Sequence, residues 1–124
     1  MKKIISTSKA PAAIGPYSQA IELNGTLFVS GQLPVNPTNG NMPESVEEQT
    51  QQSMENIGAI LEEAGLTFDD VVKTTVLLAD ISDFAAMNGE YGKYFINTKP
   101  ARACFQVAAL PKGAKVEIEA VAGK

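Results

Sequence analysis

Pro100-Ala-Arg-Ala-Cys-Phe-Gln-Val-Ala108, followed within a few residues by Lys115-Val-Glu-Ile-Glu-Ala-Val121, is the stretch on which the architecture turns. Both segments alternate in the manner of strands. In the first, Arg102, Cys104 and Gln106 point to one side and Ala103, Phe105 and Val107 to the other. In the second, Glu117 and Glu119 share a face opposite Val116, Ile118 and Ala120. If the two strands pair or neighbour each other, one sheet face is apolar and the other brings Arg102 near Glu117.

Working back from Pro100, Thr98-Lys-Pro ends a helix that Asp80 or Ser82 opens. Its apolar stripe is Phe84, Met87, Tyr91, Tyr94 and Phe95, with the amide of Asn88 intruding one turn from Phe84 and Tyr91. Before it, Val71–Ala79 is β-branched and apolar on both sides, as expected of a central strand. Ser45-Val-Glu-Glu48 has capping-box spacing. From there Val46, Thr50, Met54, Ile57, Leu61 and Ala64 recur at helical intervals up to Gly65, a helix of about five turns. Gln32 to Pro43 is rich in Pro, Asn and Gly and reads as a loop of roughly a dozen residues. Asn24-Gly25 is a hairpin turn between strands at 17–23 and 27–30.

The order strand-strand-helix-strand-helix-strand-strand predicts one α+β domain over residues 1–124, a mixed sheet with both helices packed on one face. The second face would then carry Arg102, Cys104, Glu117, Ser30 and Thr74 or Thr75. Two helices cannot cover both faces, so water or further copies of the chain must cover the other.

Composition narrows the chemistry. The 124 residues contain no histidine and one cysteine, which excludes a Ser-His-Asp triad, a thiolate-imidazole pair, a His-based zinc site and an intrachain disulfide. Phosphate-cradling and dinucleotide-binding glycine motifs are absent, and no metal or cofactor is expected. A net charge of -4 argues against nucleic acid as partner. No apolar run is long enough to cross a bilayer, and Met1-Lys-Lys-Ile-Ile-Ser-Thr7 lacks a signal-like stretch behind its lysines. No membrane and a cytoplasmic address are the expectations.

Several motifs occur together: Ala10-Pro-Ala-Ala-Ile-Gly-Pro-Tyr-Ser-Gln19, Val29-Ser-Gly-Gln-Leu-Pro34, Pro100-Ala-Arg-Ala-Cys104 and Val116-Glu-Ile-Glu-Ala120. In this order, across nearly the whole chain, they resemble the RidA/YjgF family of reactive-intermediate (2-imino acid) deaminases. The resemblance implies a chorismate-mutase-like fold and a homotrimer with an inner β-barrel and clefts between subunits. Carried over, the family's site falls on Tyr17, Ser30, Gly31, Asn88, Arg102, Cys104 and Glu117. Taken singly, Arg102 with Glu117 is more often a structural ion pair, and Cys104 a small buried hydrophobe. Only the joint occurrence of the motifs outweighs those readings.

The implied reaction is cofactor-independent hydrolysis of small 2-imino acids, such as 2-iminobutanoate and 2-iminopropanoate, to 2-oxo acids and ammonia. Arg102 can grip a carboxylate through two parallel bonds, and Glu117 can activate water. Tyr17, Ser30, Gly31, Asn88 and Cys104 would bind and shape around the substrate. The alternative is a non-catalytic trimer of the same fold that binds small carboxylates for regulation. An RNA-cleaving reading, attached to some members, gains nothing from an acidic chain without histidine.

Overall fold

The computed structural model describes residues 1–124 as a six-stranded sheet with two helices on one face. Strands β1 (Lys3–Ile5), β2 (Ala20–Leu23) and β3 (Thr26–Gln32) precede helix α1 (Val46–Glu63). Strand β4 (Val71–Leu78), helix α2 (Phe84–Tyr91), and strands β5 (Ala101–Gln106) and β6 (Val116–Gly123) follow.

Local chemistry sets several of these boundaries. Asn24 and Gly25 both have positive φ, 52° and 80°, which a two-residue turn with the twist of its flanking strands requires. Ser45 caps α1 by accepting from the Glu48 N–H at 3.1 Å, and its hydroxyl donates to the Glu48 carboxylate. Gly65, at φ 77°, turns the chain out of that helix.

The sheet order is β1-β2-β3-β6-β4-β5, antiparallel except for β4 and β5, which α2 connects as a parallel pair. Leu27 and Val29 of β3, Val76 and Leu78 of β4, and Val116 and Ile118 of β6 meet Met54, Ile57, Ile60 and Leu61 of α1 in one core. The opposite face of the sheet carries no helix. There Phe28 and Phe105 remain 48% and 49% exposed, two large aromatic rings on an open surface.

Three expectations need correction. The terminal strands are not neighbours, because β4 lies between β5 and β6. Burial explains the order: every second residue of β6 from Val116 to Ala122 is buried, which suits the middle of a sheet, whereas no residue of β5 is. Arg102 and Glu117 also lie on opposite faces. Arg102 and Cys104 align with Thr74 and Val76, whose side chains face the helices, while Glu117 aligns with Leu77 on the open side. Assigning faces by apolarity fails at this edge, because α2 is short and presents polar Asn88 to Arg102. Finally, β1 extends the hairpin through the pairing of Ile5 with Ala20, a strand too short to show a period of two.

The predicted second helix also divides. Asp80 caps a single 3-10 turn at Ile81–Asp83, α2 itself ends at Tyr91, and a further 3-10 turn carries Gly92–Tyr94. Tyr91, Tyr94 and Phe95 remain on the inner side, where Phe68 meets Tyr94 at a tilt of 56° and Phe95 edge-to-face at 90°.

Candidate active site

The site residues fall into two groups. The first gathers on the helix side of β5. The Arg102 Nη1–H donates to Asn88 Oδ1 at 2.6 Å. Its guanidinium carbon lies 4.9 Å from the centre of the Tyr91 ring and 5.4 Å from that of Phe84, so two aromatic faces hold the cation in orientation. Beneath, Tyr91 and Thr74 share a hydrogen bond of 2.7 Å. The salt bridges of the chain are Lys9–Glu62 and Lys93–Glu90, so Arg102 has no carboxylate partner. Four of its five N–H donors are unspent.

Cys104 stands two residues along the same face, half-buried against the core. Burial pushes its thiol pKa up, against the opposing pull of Arg102, so the group stays a thiol rather than a thiolate.

The second group forms where β3 is irregular. Val29 pairs with Ala120 and Gln32 with Ile118, so Ser30 and Gly31 together oppose the single residue Glu119. This β-bulge turns the backbone at Gly31 against the Glu117 side chain. A Cβ at Gly31 would overlap the Glu117 carboxylate, with the carboxyl carbon 3.0 Å away. Ser30 is fixed by its N–H donating to Gln19 O at 2.9 Å and its hydroxyl to Ser18 O at 2.6 Å.

A cavity of about 820 Å³ opens beside this bulge, lined by Tyr17, Ser30, Gly31, Glu117 and Glu119 among others. Tyr17 is 53% exposed, with its hydroxyl accepting from the Ile14 N–H at 3.4 Å. Burial raises the Glu117 pKa above its ordinary value, and the Glu119 carboxylate raises it further. Such a carboxyl group is suited to take a proton and return it.

Within one chain, then, Tyr17, Ser30, Gly31 and Glu117 stand together, and Asn88, Arg102 and Cys104 stand together elsewhere. The two groups do not meet. Arg102 aligns with Thr74 and Glu117 with Leu77, on opposite sides of β4 and on opposite faces of the sheet. Glu119, which the site carried over from the family does not include, also lines the cavity and acts on Glu117. Gln19 and Lys112 of the cavity wall were also missed. Gln19 lay in plain view beside Tyr17-Ser18, but a glutamine carries no signal of its own. No three Cys, Asp or Glu side chains converge as a metal site would require.

Fold and site together define a small mixed α+β protein with a carboxylate-lined cavity and, apart from it, an oriented, unpaired arginine. The sequence profile of the endoribonuclease L-PSP family matches residues 7–124. The 2-iminobutanoate/2-iminopropanoate deaminase of Capra hircus is 57% identical over 98% of this chain and 90% of its own length. E. coli TdcF, solved with bound serine, superposes with a TM-score of 0.95 at 47% identity over 98% of both chains. RidA from an Antarctic Psychrobacter gives a TM-score of 0.95 at 47% identity, over 98% of this chain and 99% of that one. The chain belongs to this family, RidA/YjgF.

Proposed function

We propose that the protein hydrolyses small 2-imino acids to 2-oxo acids and ammonia without a cofactor. The observation that carries this reading is Glu117, a half-buried carboxyl of raised pKa held against bare backbone at Gly31. The deaminase name of the Capra hircus relative, at 57% identity, supports the same chemistry.

In the proposed reaction, Glu117 removes a proton from water as the water oxygen bonds to the imine carbon. The electron pair of the C=N double bond moves to nitrogen, giving a carbinolamine. Protonated Glu117 then gives its proton to nitrogen, and the C–N bond breaks with its electron pair leaving on ammonia. The regenerated Glu117 carboxylate takes the hydroxyl proton as the carbonyl forms, releasing it afterwards to ammonia or solvent. Arg102 binds the substrate carboxylate with its unspent N–H donors. Asn88 and Cys104 complete the Arg102 side of the pocket, and Tyr17, Ser30 and Gly31 the Glu117 side.

One chain separates these halves, so the complete site requires two copies. The assembly we propose is a homotrimer of chorismate-mutase-like subunits. The open sheet faces, with Phe28 and Phe105, line an inner barrel, and each cleft joins Arg102 of one copy to Glu117 of the next. No helix is long and apolar enough to cross a membrane, and a cytoplasmic location fits that reading.

The test couples the protein to a threonine dehydratase and threonine. Wild type should accelerate 2-oxobutanoate release over the spontaneous rate, and Arg102→Ala should not. Wild type without acceleration would sink the proposal. The bound serine of E. coli TdcF favours a second reading, a regulatory trimer that only binds small carboxylates. Glu117→Gln separates them, since an enzyme loses turnover while keeping affinity and a binding protein has no turnover to lose.

A further inference from the structure

One buried amide ties together two separate segments of the cavity wall. Gln19 is 4% exposed, and its side chain turns away from the sheet toward the incoming chain. Its Oε1 accepts from the Thr7 N–H at 2.7 Å. Its Nε2 donates to Pro11 O at 2.7 Å and Thr7 O at 3.1 Å, with Ala10 O at 3.3 Å sharing the same two hydrogens. Thr7 is thus held through both of its peptide groups, as a strand partner would hold it, although residues 7–17 form no strand.

The same residue faces the bulge through its backbone, where Gln19 O accepts from the Ser30 N–H at 2.9 Å. One amino acid therefore joins the bulge that presents Gly31 to the segment that supplies Pro11, Ala12, Ile14 and Tyr17 to the cavity. That segment has little else to hold it. From Ala12 to Tyr17 every residue is exposed, and the bonds there are the weak one from Ile14 N–H to the Tyr17 hydroxyl and Tyr17 N–H to Gly15 O.

We infer that Gln19 is the positioning residue of the substrate cavity, fixing residues 7–17 as a preformed wall and setting Tyr17 relative to Gly31 and Glu117. It touches no reacting atom; it acts through Tyr17. The inference rests on the deaminase reading for its kinetic consequence, but not for its structural one.

The decisive variant is Gln19→Leu, which keeps the bulk and removes every side-chain bond while leaving the backbone bond to Ser30 in place. Two readouts are taken on the full assembled protein: amide hydrogen exchange, and steady-state turnover of 2-iminobutanoate generated from threonine. Exchange in residues 7–17 should rise while amides of β4 and β6 stay protected. KM should rise on the order of tenfold, with kcat held within about threefold, because a wall binds ground state and transition state alike. Unchanged exchange in residues 7–17 overturns the inference, as does an unchanged KM. Should Gln19→Leu not fold, Gln19→Glu takes its place, keeping the acceptor for Thr7 N–H and losing the donors. An inactive wild type would defeat the deaminase reading alone, and the exchange measurement would still decide the clamp.

Discussion

Thr74 and Tyr91 share a buried hydrogen bond of 2.7 Å, and the Tyr91 ring is the surface on which Arg102 rests at 4.9 Å. A bond between β4 and α2 thus fixes an aromatic plane, and the plane fixes a cation. Tyr91→Phe keeps the ring and leaves the Thr74 hydroxyl, on a residue only 1% exposed, without a partner. It should cost about 1–3 kcal/mol in chemical denaturation. Adding Thr74→Val should recover most of that loss, because removing both partners is nearly neutral. A double variant as unstable as the single would refute the pairing.

Arg102→Lys preserves the charge and loses the planar fork. Lysine cannot make two parallel bonds to a carboxylate or stack between Phe84 and Tyr91 in the same way. We expect kcat/KM for 2-iminobutanoate to fall roughly 10- to 100-fold, the equivalent of one charge-assisted bond. Wild-type kinetics in this variant would show that the carboxylate is bound elsewhere.

Glu117 makes a prediction in pH. Its folded-state pKa lies above the ordinary value of 4.5, so the folded protein holds this proton more tightly than the unfolded chain. Below 4.5 the group costs nothing; as pH rises through the folded pKa the buried charge develops and stability falls. Glu117→Gln should therefore raise Tm at about pH 7.5 and leave it unchanged near pH 3.5, while abolishing turnover. A variant stabilised equally at both pH values would assign the effect to something other than ionisation.

Gly31→Ala tests the bulge. The new methyl group meets only the Glu117 side chain, at its carboxylate and Cγ, so the backbone can stay while that side chain swings aside. Thermal stability should change little. Turnover should fall on the order of a hundredfold, the scale of an ångström-sized misplacement. Activity close to wild type would mean that Glu117 does not work from the position it occupies against Gly31.

Mixing two inactive proteins tests the division of the site. If each cleft takes Arg102 from one copy and Glu117 from another, Arg102→Ala and Glu117→Gln subunits reassembled in equal amounts should restore about one quarter of wild-type turnover. Were both residues of a site drawn from a single chain, the mixture would stay dead.

The elements most readable in the sequence were those decided locally. Asn24-Gly25, the Ser45 cap and Gly65 each act within a few residues, and each stands where expected. The place of β6 between β3 and β4 was not readable, because nothing near Val116 says which distant strand it meets. The site residue types were visible as motifs, yet their division between two faces was not. That depends on α2 stopping at Tyr91 and leaving Arg102 an aromatic seat beside the core. Gln19 was hidden for a plainer reason. A buried amide and a solvated one are spelled with the same letter.

Strand β5 ends the sheet, and its outer row of backbone N–H and C=O groups has no partner within the chain. Ala-x-Ala-Cys-Phe along such an edge is a template for another strand, and while it stays unpaired it is open to misassociation. Pro100, with no N–H to offer, and Arg102, with a charge that resists stacking, stand at its entrance. On the proposed reading the arginine would thereby serve the newly made chain as well as the substrate site. Replacing it with an apolar residue removes a gatekeeper, and the loss should register first as insoluble protein.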